Sequence, residues 1–125
     1  MTTMLIVDDE LDMRMLVRLV IEMANDGLTI VGEAADGREA IEVWRELDGP
    51  PVPDVVILDN RMPGLSGLEV AQRILEERPA QIIVLYSAFL DADVRARASE
   101  LGITSCVSKH ELDRLPDLVR EITAA

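Results

Sequence analysis

The sequence predicts an α/β protein: a parallel sheet with helices on both faces. Three observations carry this. Short runs of β-branched and aliphatic residues alternate with stretches of helical period along the whole chain. Turn residues mark the boundaries between them. Two of the apolar runs end in acids, in Leu5-Ile6-Val7-Asp8-Asp9-Glu10 and in Val55-Val56-Ile57-Leu58-Asp59. In an open parallel sheet, ligands bind beyond the carboxyl ends of the strands.

The elements follow in order. Strands are expected over Met4–Val7, Leu28–Gly32, Val55–Leu58, Ile82–Tyr86 and Ser105–Ser108. The first helix is expected to bury Met13, Leu16, Val17, Val20 and Ala24, spaced three and four residues apart. Met13, Met15 and Met23 are read as core or half-exposed helix positions. The second helix carries Ala40, Ile41, Trp44 and Leu47, with Trp44 in the core, and the third carries Leu68, Ala71, Ile74 and Leu75. The fourth carries Val94, Ala98 and Leu101, and the last Leu115, Val119 and Ile122. Asp36 and Ser66 suit N-caps, and Gly102 suits a C-cap. Gly49-Pro50-Pro51-Val52-Pro53 reads as a stiff loop. Pro116 is tolerated only in a first turn, so the last helix should begin near Leu115. Strand connections should be right-handed crossovers.

A chain of 125 residues, 49% hydrophobic and 29% charged, is expected to be one folded domain spanning 1–125. No apolar run reaches the roughly 18 residues of a membrane span. The N-terminus does not read as a signal peptide, and the single Cys106 allows no internal disulfide. Both favour a cytoplasmic protein. The net charge of -12 argues against a nucleic-acid surface, which needs clustered basic residues. It is most simply a matter of solubility. Among twelve basic residues, Lys109 is the only lysine. A lysine offers a compact ammonium that arginine does not copy.

If the first strand lies centrally, Asp8, Asp9, Asp59, Ser87 and Lys109 converge on one rim. Close carboxylates repel and need a cation or a proton. Mg²⁺ suits them, because it takes oxygen ligands and keeps several waters. A carboxylate beside that ion can attack a phosphoryl group, whose oxygens Lys109 and the Ser87 hydroxyl would stabilise. Singly these residues have plainer readings. Asp8 and Asp9 can cap a helix, and Asp59 and Ser87 can sit in turns.

The chain resembles the receiver domain of two-component response regulators over essentially its full length. The resemblance rests on Val7-Asp8-Asp9-Glu10, Leu58-Asp59 through Met62-Pro63-Gly64 with Ser66-Gly67, Tyr86-Ser87-Ala88, and Ser108-Lys109. It implies a flavodoxin-like sheet of order 2-1-3-4-5. It implies that Asp59 accepts a phosphoryl group from phosphohistidine on a sensor histidine kinase or phosphotransfer protein. Asp9 and Asp59 would hold Mg²⁺ directly, Asp8 through water, and Arg61 through its backbone carbonyl. Ser87 and Lys109 would contact the phosphoryl group. The reader would be a downstream protein or an output domain; a homodimer is left open. The readout would be the face of the fourth helix, fifth strand and fifth helix, which carries Arg95, Arg97, Arg114 and Arg120 among acids.

Two positions depart from the family. Cys106 stands where a switch aromatic is usual, which bears on the output rather than the chemistry. The alternatives there are a redox handle and a half-buried, inert thiol. His110 stands where proline is usual and reads as a loop residue. A cis bond before it would cost about 3–4 kcal/mol, so trans is expected. The subfamily with C-terminal helix-turn-helix domains also lacks that proline and resembles Val31-Gly32-Glu33-Ala34-Ala35-Asp36-Gly37. Arg61 and Phe89 occupy the positions that tune phosphoryl lifetime. A degenerate receiver, acting without phosphorylation, is the alternative. A phosphatase of the haloacid-dehalogenase type is disfavoured, because Arg61 replaces the second acid it needs. A dinucleotide site fails for want of a glycine-rich turn after the first strand.

Overall fold

The computed structural model describes residues 2–24, 27–47, 53–103 and 105–124. Five strands, β1 (Thr2–Val7), β2 (Leu28–Ala34), β3 (Val55–Asp59), β4 (Ile82–Ser87) and β5 (Ser105–Ser108), form one parallel sheet. Its order is β2-β1-β3-β4-β5, as the resemblance implied. The helices are α1 (Leu11–Ala24), α2 (Gly37–Glu46), α3 (Gly67–Glu77), α4 (Ala92–Leu101) and α5 (Leu115–Thr123). Strand ends differ slightly from expectation. Ser87 lies within β4, and Asp8 and Asp9 follow β1.

Strand residues alternate between two cores because successive side chains point to opposite faces. Met4, Ile6, Val55, Ile57, Val84, Tyr86 and Val107 pack with Val17 and Ile21 of α1 and Leu115 and Val119 of α5. Leu5, Val7, Val56, Leu58, Ile83 and Leu85 pack with α2, α3 and Ala98 of α4. Trp44 is buried as expected, and its indole N–H donates to Gln81 Oε1 at 2.9 Å. Caps fall where the sequence placed them. Asp36 accepts from Glu39 N–H, Ser66 and Glu69 form a capping box, and Gly102 closes α4 at φ +87°. The last helix begins at Leu115, with Pro116 in its first turn. The expected stiff loop lies outside the described residues except for Pro53.

The first helix corrects its reading. Leu16 is 43% exposed, whereas Ile21, absent from the expected stripe, is buried. Met15 and Met23 are 60% and 76% exposed, so they are not core positions. With Leu11 and Leu19 they form an outward ridge at four-residue spacing. The helix is apolar on too many sides for spacing alone to choose the inward face. Among the described residues, no helix is long and apolar enough to cross a membrane.

The turn from β3 into α3 is tight. Gly67 N–H donates to the Asn60 carbonyl at 2.9 Å. A Cβ at Gly67 would stand 2.3 Å from the Asp59 carbonyl oxygen and 2.8 Å from Asn60 Cα. Gly67→Ala must therefore shift the backbone that carries Asp59. It is expected to destabilise the protein by about 1–3 kcal/mol. Urea unfolding measures this, and an unchanged midpoint would contradict the close approach.

Candidate functional site

The alternation that builds the cores also builds the site. Asp8 continues the face of Met4 and Ile6, Asp59 that of Val55 and Ile57, and Lys109 that of Val107. Side chains at or just beyond the ends of three different strands therefore meet at the carboxyl edge of the sheet. Asp8 and Asp59 are both buried. The Lys109 ammonium lies 3.1 Å from Asp8 Oδ2 and 3.3 Å from Asp59 Oδ1. Asp8 is further held by Glu10 N–H, which donates to its Oδ1 at 2.8 Å. Arg14 donates to the Asp8 carbonyl at 2.6 Å.

One ammonium does not neutralise two buried carboxylates. Burial, and then the Asp8 charge, push the Asp59 carboxyl up to about 6, while Lys109 partly opposes them. Burial pulls Lys109 down, but Asp8 and Asp59 outweigh it, and its ammonium is held above the ordinary lysine value. This residual negative charge is the local demand for another cation. Asp8, Asp9 and Glu10 can place carboxylate oxygens within 4.8 Å of one another. Asp9 and Glu10 are exposed, on the solvent side of buried Asp8. An all-oxygen donor set with excess negative charge fits a hard divalent cation such as Mg²⁺.

The remaining candidates are arranged less uniformly. Ser87 lies on the opposite strand face from Asp59, and its buried hydroxyl is engaged by its own loop. It donates to the Phe89 carbonyl and accepts from Phe89 N–H, both at 3.2 Å. Arg61 N–H donates to Asp59 Oδ1 at 3.3 Å. The Arg61 guanidinium stacks 4.7 Å from the centre of the exposed Phe89 ring. Cys106 is half-buried against the α2–α4 side. Burial pushes its thiol up, with partial opposition from Arg95, which opposes thiolate reactivity. His110, expected in a loop, is an exposed residue of a 3-10 helix over Lys109–Arg114. Ser108 Oγ starts that turn by accepting from His110 N–H.

Sequence reasoning missed one member of the site. Tyr86 is fully buried, and its hydroxyl donates to Asp8 Oδ2. Its ring centre lies 5.0 Å from the Lys109 ammonium. Strand alternation could have found it, since Tyr86 shares its face with Val84 and pairs in register with Asp59.

The sheet order and its acidic edge define a flavodoxin-like α/β protein of the CheY-like kind. The chain matches the family model "Response regulator receiver domain" over residues 4–120, and it belongs to that family. It is 39% identical over 119 residues to a protein-glutamate methylesterase/protein-glutamine glutaminase of Burkholderia thailandensis, covering 94% of this chain and 32% of that one. It is 42% identical over 102 residues to the transcriptional regulatory protein YdfI of Bacillus subtilis, covering 82% of this chain and 45% of that one. Among solved structures it resembles a LuxR-family two-component response regulator from Aurantimonas, at 29% identity and a TM-score of 0.87. That match covers 98% of this chain and 85% of the other. The chain thus spans less than half the length of these two curated relatives.

The raised Asp59 carboxyl has a consequence for stability. The folded state holds this proton more tightly than the unfolded chain does. Its contribution is therefore present below about pH 4 and is lost as the pH rises through about 6. Asp59→Asn removes this titrating group and leaves position 59 uncharged at every pH. In metal-free buffer it is expected to exceed the wild type by about 1–2 kcal/mol at about pH 7.5, after allowance for solvent screening. The gain should fade towards about pH 4 in denaturant titrations. An equal gain at both pH values would contradict the assignment.

Proposed function

We propose that Asp59 is the phosphoryl acceptor of this receiver domain. The observation that carries the reading is the pairing of buried Asp59 with Lys109 beside Asp8 at the carboxyl edge of the sheet. A carboxylate oxygen of Asp59 would form the new bond to phosphorus as the N–P bond of a phosphohistidine breaks. The bonding pair returns to the imidazole of a sensor histidine kinase or phosphotransfer protein. Lys109 stands where it can follow the added charge, because its ammonium already touches Asp59. Asp8, Asp9 and Asp59, with the Arg61 carbonyl, would hold Mg²⁺, which supplies charge neutralisation at the phosphoryl oxygens. Ser87 would have to leave its partners on Phe89 to reach the same group.

A phosphoryl group adds about -1.5 to -2 charges and would bias a two-state equilibrium. The switched output would be a protein partner or a further domain of a longer chain, and the domain itself would act as a switch rather than as an enzyme. The setting would be cytoplasmic. Cys106 and His110, where an aromatic and a proline are usual in the family, favour a second reading, a receiver that works without phosphorylation.

Intact mass measured after incubation with Mg²⁺ and a small phosphodonor separates the two. The wild type is expected to gain one phosphoryl group; Asp59→Asn, or the wild type with EDTA, should gain none. An unmodified wild type, with its cognate kinase supplied as well, would leave the second reading. Arg61, whose backbone N–H donates to Asp59, stacks its guanidinium on Phe89, and this pair would limit the access of water to the acceptor. Phe89→Ala is expected to shorten the lifetime of phospho-Asp59 several-fold. Equal decay of the two proteins would count against that role.

A further inference from the structure

We propose that Tyr86 is a positioning residue of the acceptor site, acting through Asp8 and Lys109. The inference rests on the reading of Asp8, Asp9 and Asp59 as a Mg²⁺ site. Tyr86 is fully buried within β4, and β3 lies between that strand and β1. Its hydroxyl nevertheless reaches Asp8, beyond the end of β1, and donates to Oδ2. The same ring lies 5.0 Å from the Lys109 ammonium. One side chain thus touches two of the charged groups of the site, and Lys109 joins those two to Asp59.

The physical effect is preorganisation. A buried carboxylate with a single partner can rotate; Asp8 has three donors on its two oxygens, from Glu10 N–H, Lys109 and Tyr86. Each fixes its plane further. Lys109 has a long, flexible stem, and the face of a fixed aromatic ring gives its ammonium a second attractive surface. Phenylalanine would fill the same space and keep the ring face, but it would leave Asp8 one donor short. Groups that orient metal-binding carboxylates typically change metal affinity by about 10–100-fold when removed. A tyrosine retained only to fill the core would not.

Calorimetric titration with Mg²⁺ alone tests this, alongside thermal unfolding in EDTA. Tyr86→Phe is expected to bind Mg²⁺ about 10-fold more weakly than the wild type. Tyr86 is the only tyrosine of the chain, so it also reports without mutation. Mg²⁺ should shift its near-ultraviolet circular dichroism in the wild type. This readout stands even should the phenylalanine variant fail to unfold cooperatively. Equal Mg²⁺ affinity of the two folded proteins would overturn the inference, whatever the change in melting temperature, and so would a tyrosine band indifferent to bound Mg²⁺. Absence of Mg²⁺ binding by the wild type would overturn the metal-site reading itself, and the inference with it.

Discussion

A single ammonium shared by two buried carboxylates is the constraint on which the site depends. Lys109 bridges Asp8 and Asp59 at 3.1 and 3.3 Å, and both acids are withdrawn from water. Such a cluster is costly unless its charges are paired and its lone pairs engaged. Here the pairing is incomplete by one charge, and burial, followed by the Asp8 charge, raises the Asp59 carboxyl. The sheet makes the arrangement possible. Parallel strands deliver Asp8, Asp59 and Lys109 to one edge from widely separated parts of the chain. A sheet with strands in both directions would scatter them to opposite ends.

The surroundings of the cluster divide into a rigid side and a yielding side. Tyr86 is buried and bonded to Asp8, and the turn at Gly67 leaves no room beside the Asp59 backbone. Arg61 and Phe89, by contrast, are exposed and held by their stacking and local backbone contacts. The Ser87 hydroxyl is held by the backbone of Phe89 in the same loop. Movement at a phosphorylated site would be drawn from the less packed side, because local opening is easiest where few apolar contacts are lost. Cys106 lies at the join, on β5 but packed towards α4. Its small side chain makes it a different connection from the usual aromatic, and burial keeps it a poor nucleophile.

Much of the fold was legible because it rests on local chemistry. Asp36, Ser66 and Gly102 cap helices where their side chains or backbone freedom require, and Pro116 admits only the first turn of α5. Strand alternation likewise separates Met4 and Ile6 from Leu5 and Val7. The first helix defeated the same reasoning. Leu11, Met15, Leu16, Leu19 and Met23 are exposed although they are as apolar as the buried Val17 and Ile21. Only the packing of α1 against the sheet selects the inward face.

The amino-acid sequence by itself determined the five-unit α/β pattern, the acids after β1 and at the end of β3, and the solitary lysine after β5. These follow from periodicity and residue type, which need no knowledge of distant neighbours. Tertiary structure alone decided that Lys109 bridges Asp8 and Asp59 and that Tyr86 reaches across β3 to Asp8. Those contacts join residues whose separation along the chain carries no signal. Strand order and register set the distances between them, and the dry interior makes each contact electrostatically decisive.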